Sequence, residues 1–133
     1  MQNPSIIRVM IVEDSPTFRS FVRSQLEQNP ELELICEVWN GSDAIKKAEE
    51  LRPYLILLDL SLPAPNGFEA ARQIRELAPE SKIIYLTQQT AADIIEEAIA
   101  LGAWGYVFKT HAAHDLLPAI EAVVSGKRFV SSV

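Results

Sequence analysis

The sequence holds a single cysteine, Cys36, so no internal disulfide can form. It sits in an apolar run, where a buried, inert thiol is the expected role. No apolar stretch is long enough to cross a bilayer. Met1 to Ser5 lack the basic start and apolar core of a secretory leader. These absences predict a cytoplasmic protein without a membrane segment. Cations are also scarce: 12 Lys and Arg stand against 18 Asp and Glu, for a net charge of −6. Non-specific grip on a phosphate backbone needs clustered cations, and Lys127-Arg128 reads only as a solvated helix end. DNA contact is therefore expected only through a domain outside this chain. Two histidines, His111 and His114, have no partners at metal-ligand spacing and read as surface residues.

What is present fits one compact domain. The chain has 133 residues, 48% of them hydrophobic and 23% charged, which is enough for a proper core. Residues 1–133 read as a single unit with a core over about 7–126, and 127–133 as a C-terminal tail or the start of a linker. Strand and helix patterns alternate along the chain. Ile6 to Val12 is a β-branched apolar run that stops at Glu13-Asp14. Ser15-Pro16 then opens a helix, a capping hydroxyl followed by proline at the first helical position. Leu32 to Trp39 is a second strand, and Gly41-Ser42 opens a second helix. Tyr54 to Leu58 is apolar throughout and predicts a central strand ending at Asp59.

The loop Ser61 to Gly67 precedes a third helix with Phe68, Ala71, Ile74 and Ala78. Lys82 to Leu86 ends at Thr87. Ala91 to Leu101 is a fourth helix, closed by Gly102. Trp104 to Phe108 ends at Lys109, and a last helix carries Leu116 to Val124. Pro118 falls inside that helix pattern, so the helix either starts late, near His114, or bends at its start. Trp39 and Trp104 read as packing residues.

Such alternation predicts an α/β fold: a parallel sheet with helices on both faces. Ligands of these sheets bind beyond the carboxyl ends of the strands. There the sequence puts Glu13, Asp14, Asp59, Thr87 and Lys109. Each directly follows an apolar run, an awkward place for charge unless something binds it. Three neighbouring carboxylates repel one another, and a divalent cation relieves that repulsion. All-oxygen donors select a hard ion, Mg²⁺ or Mn²⁺. Lys109 can serve as a salt-bridge partner of Asp59, as a contact for a phosphoryl oxygen, or as both in turn.

Several segments carry a family resemblance. They are Val12-Glu13-Asp14-Ser15, Leu57-Leu58-Asp59-Leu60-Ser61-Leu62-Pro63, Asn66-Gly67, Leu86-Thr87 and Gly102 to Lys109. In this order they resemble the signature of bacterial response-regulator receiver domains, from Ile7 to about Val130. The resemblance implies a flavodoxin-like (βα)5 three-layer sandwich with five parallel strands in the order 2-1-3-4-5. It implies Asp59 as phosphoacceptor for a sensor histidine kinase or phosphotransfer protein. Mg²⁺ would be held by Asp14 and Asp59, by Glu13 directly or through water, and by the Ser61 backbone carbonyl. Thr87, Tyr106 and Lys109 would bind the phosphoryl group and throw a switch on the helix-four, strand-five and helix-five surface. Ser61, Gln88 and Gln89 would tune its kinetics. A homodimer is allowed, by helices one and five or by the helix-four face.

The match departs from the commonest pattern at Gln88, where a small residue is usual, at Ala64-Pro65, and at Thr110, where many members carry proline. Thr110 and Gly126 to Ser131 resemble the subfamily that carries a LuxR-type helix-turn-helix, which implies transcription as the output. A stand-alone or pseudo-receiver interaction module is the alternative. An aspartyl-phosphate phosphatase would want a second acid at Ser61. A flavin or nucleotide binder would want a Ser/Thr/Gly-rich loop after strand one, not Glu13-Asp14.

Overall fold

A computed structural model describes residues 5–132. Met1 to Pro4 and Val133 lie outside the described residues, and with them most of the Met1–Ser5 segment and the last residue of the predicted tail. The elements alternate as β1 (Ile7–Val12), α1 (Pro16–Leu26), β2 (Leu32–Val38), α2 (Gly41–Leu51), β3 (Leu55–Leu58), α3 (Gly67–Leu77), β4 (Lys82–Thr87), α4 (Ala92–Ala100), β5 (Gly105–Phe108), α5 (Ala112–Val124) and β6 (Phe129–Val130). All strand pairs are parallel, in the order β2-β1-β3-β4-β5-β6. The expected sheet of five strands is therefore extended by a sixth. Phe129-Val130 was expected to be tail, but Phe129 pairs with Gly105 and Val130 with Tyr106. Two residues are too short to show a period, which hides such a strand from pattern reading.

Side chains alternate across the sheet, as a strand period of two requires. Val9 and Ile11 join Val22 and Leu26 of α1 and Leu116 and Ile120 of α5 in one core. Met10 and Val12 join Ala44 and Ala48 of α2, Ala71 and Ile74 of α3 and Ala98 of α4 in the other. Central β3 is buried on both faces, which explains its unbroken apolar run.

Local chemistry sets where the helices begin. Ser15 caps α1: its side chain accepts from the Phe18 N–H at 3.2 Å, and Pro16 fills the first position, where no donor is needed. For α2 the cap is Asn40, one residue before the expected start; its side chain accepts from Asp43 N at 2.8 Å. Gly67 lets α3 start hard against β3, since a Cβ there would come within 2.5 Å of the Asp59 carbonyl oxygen. α5 begins at Ala112 after a 3₁₀ turn over Lys109–His111, so the late start near His114 is not what occurs. Pro118 lies inside the helix and is exposed, so its ring points to solvent.

Candidate functional site

Strand register brings the acids together. Val12 pairs with Leu58, and the Asp59 N–H donates to the Val12 carbonyl at 3.1 Å. On the other side, the Glu13 N–H donates to the Val38 carbonyl at 3.0 Å. Glu13 and Asp59 therefore leave neighbouring strands at the same height. Both are 3% exposed, whereas Asp14, one residue on, faces solvent. One carboxylate oxygen from each of Glu13, Asp14 and Asp59 lies within 4.8 Å of the others.

Lys109 reaches this group from the end of β5. Its Nζ stands 2.7 Å from Glu13 Oε1 and 3.1 Å from Asp59 Oδ2. The Phe18 ring lies beneath the ammonium, 4.7 Å from Nζ to centroid, and shields one side of it. Burial works against the Lys109 charge, but the bonds to Glu13 and Asp59 outweigh it and leave its pKa raised. For Glu13, burial dominates and pushes the carboxyl up, against the opposing pull of Lys109 and of the Ser15 N–H.

The acceptors are unequally satisfied. Asp59 Oδ1 accepts from the Ser61 N–H at 3.0 Å, and Oδ2 from Lys109. Glu13 Oε2 accepts from the Ser15 N–H at 2.9 Å. Glu13 Oε1 is buried and faces the Lys109 ammonium at 2.7 Å. Three convergent carboxylates with a single ammonium between two of them fit a hard divalent cation held by oxygen donors.

Thr87 and Tyr106, both fully buried, meet at one residue. The Gln89 N–H donates to Thr87 Oγ1 at 3.3 Å, and the Tyr106 hydroxyl donates to the Gln89 carbonyl at 2.7 Å. The Tyr106 ring thus lies in the inward position, between Tyr85 and Phe108. Burial pushes its phenol up to about 12, so the hydroxyl stays a donor at neutral pH. The side chains of Ser61, Gln88 and Gln89 are exposed; Ser61 and Gln89 enter the network through their backbones.

Sequence reasoning overlooked Phe18 and Arg19. Both lie on the first helix, where a lone aromatic or cation carries no sign of a partner at the strand ends. Trp39 also differs from its packing role: the residue is 55% exposed. His114 is exposed and His111 half-buried against Phe108.

The model of the response regulator receiver domain matches residues 9–121. The chain belongs to that family. Among curated proteins, this receiver domain is 34% identical over 121 residues to the transcriptional regulatory protein LnrK of Bacillus subtilis (strain 168), covering 91% of this chain and 55% of LnrK. Among solved structures, it resembles a LuxR-family two-component response regulator from Aurantimonas sp. SI85-9A1, with a TM-score of 0.89, 33% identity, and 94% of this chain and 89% of that one covered. It also resembles RcsB in a structure of two RcsB dimers bound to two parallel DNAs, with a TM-score of 0.89, 27% identity, and 96% and 65% of the two chains covered. The receiver domain thus spans little more than half the length of LnrK. No described helix is long and apolar enough to cross a membrane.

Proposed function

We propose that this receiver domain accepts a phosphoryl group on Asp59 from a sensor histidine kinase or phosphotransfer protein. The observation that carries the reading is the buried Asp59 carboxylate, held by the Ser61 N–H and Lys109 beside two further acids. A carboxylate oxygen of Asp59 attacks the phosphorus of a phosphohistidine. The P–N bond breaks, and its electron pair leaves on the imidazole nitrogen. Lys109, free to exchange a carboxylate for a phosphoryl oxygen, neutralises charge on the transferred group. Glu13, Asp14, Asp59 and the Ser61 carbonyl would hold Mg²⁺, or Mn²⁺ in its place. When bound, the ion neutralises charge on the phosphoryl oxygens.

Thr87 and Tyr106 are the proposed switch. Their hydroxyls bond to the N–H and the C=O of the same residue, Gln89, so a shift of Thr87 toward a phosphoryl oxygen is transmitted to Tyr106. Side chains at Ser61, Gln88 and Gln89 then set access to the acyl phosphate. A cytoplasmic site, homodimer formation and control of transcription through a LuxR-type DNA-binding domain complete the reading. The transcriptional role of LnrK and the DNA-bound RcsB dimers support that output.

Intact mass after incubation with acetyl phosphate tests the reading. One phosphoryl adduct is expected with Mg²⁺, and none with a chelator or in Asp59→Asn. No adduct under any condition would favour a receiver-like module that works by binding alone.

A further inference from the structure

Glu13 lies just past the end of β1, and its backbone has two groups to satisfy. Its N–H goes to the Val38 carbonyl at the end of β2. Its carbonyl lies past the end of the β1–β3 pairing, where no strand supplies a donor. Arg19 of α1 does: its Nη1 donates to the Glu13 carbonyl at 2.8 Å. Backbone acceptors in such places need a partner, and a charged donor makes the stronger bond.

The guanidinium is itself held. Trp39, the residue after Val38, presents its ring 5.0 Å from the Arg19 Cζ. Glu37 also approaches it, 3.8 Å from Nε, although that carboxylate is committed mainly to Arg23, with bonds of 2.8 and 3.0 Å. The Arg19 side chain is only 16% exposed, whereas Trp39 is 55% exposed and would be a poor use of an indole without this contact. The end of β2 and Arg19 of α1 therefore hold the two peptide units that flank the Glu13 Cα.

We propose that Arg19, oriented by Trp39, is a positioning residue that fixes the Glu13-Asp14 turn in its metal-binding geometry. This rests on the metal reading given above. Groups behind metal ligands typically change affinity when lost, by roughly 10–100-fold. A pure charge effect has the opposite sign, because a cation near the acids repels Mg²⁺. The two mechanisms are thus separated by direction.

The test is calorimetric titration of the whole chain with Mg²⁺ alone, with folding of each variant checked by circular dichroism. Arg19→Met is expected to bind Mg²⁺ about ten-fold more weakly. Arg19→Lys, which keeps the charge and a donor, recovers part of the loss. Trp39→Ala, a surface change that leaves the core intact, weakens binding by about three-fold. Combined with Arg19→Met it adds little, since the ring acts through the guanidinium. Unchanged or tighter binding in Arg19→Met, or in Trp39→Ala if Arg19→Met does not fold, overturns the inference. A wild-type chain that takes up no Mg²⁺ lost in Asp14→Asn overturns the metal reading itself and this inference with it.

Discussion

The two ends of the parallel sheet both carry polar residues but treat them differently. At the amino ends, Arg8 donates to the carbonyls of Leu51 and Arg52 at 2.8 and 3.2 Å, where α2 stops. Lys82 donates to Val123 at 3.3 Å, near the end of α5, and lies over the rings of Trp104 and Tyr54 at 4.3 and 5.5 Å. Ser81 donates to the Pro53 carbonyl at 2.6 Å. Cations there face the negative ends of helices, and each has a backbone acceptor. At the carboxyl ends, three acids converge around one half-buried ammonium, and Lys109 pairs with only two of them, Glu13 and Asp59. The first arrangement is complete as it stands. The second is short of positive charge, and that shortage marks it as a place for something to bind.

Removing the lysine at each end sharpens this contrast most. Lys109→Met leaves Glu13 and Asp59 buried without their cation and is expected to cost about 3 kcal/mol in chelated buffer. Mg²⁺ restores a large part of that loss. Lys82→Met is expected to cost about 1 kcal/mol, the value of its ring contacts, with no response to Mg²⁺. Urea unfolding with and without Mg²⁺ measures both. Equal Mg²⁺ dependence of the two variants would break the comparison.

A smaller effect separates an acid with partners from acids in excess. Asp115 accepts from Ser131 Oγ at 2.7 Å and contacts His114 Nδ1 at 2.7 Å. The His114 bond first, and then the Ser131 bond, hold its carboxyl below its ordinary 3.8, the reverse of the Glu13 shift. A depressed pKa means stability that is present above 3.8 and lost as the pH falls through the folded value. Asp115→Asn, which weakens the bond from the buried Ser131 hydroxyl, is expected to lose about 1 kcal/mol at neutral pH. Its gap from wild type closes as the pH drops below 4, as urea midpoints across an acid series would record.

Much of the fold was legible because burial writes itself into strand composition. β3 is covered on both faces and reads as an unbroken apolar run, and the acids stand out because they interrupt such runs. What was hidden depends on contacts between distant residues. β6 exists because Phe129 and Val130 meet β5 and because Ser131 Oγ reaches Asp115 while accepting from the Phe108 N–H at 3.2 Å. Nothing local in Gly126 to Ser131 encodes those partners. Arg19 and Trp39 were hidden in the same way, twenty residues apart in sequence and joined only across α1 and β2. Asn40 was missed as a cap because Gly41-Ser42 carries a competing signal one residue later.

Residue-level trapping of the modified side chain tests the central claim most directly. After reaction with acetyl phosphate and Mg²⁺, borohydride reduces an aspartyl phosphate to homoserine, and peptide mass spectrometry locates it. The account predicts homoserine at position 59 and nowhere else. Homoserine at position 14 instead, or phosphate retained on a serine or threonine with Asp59 unchanged, would contradict it.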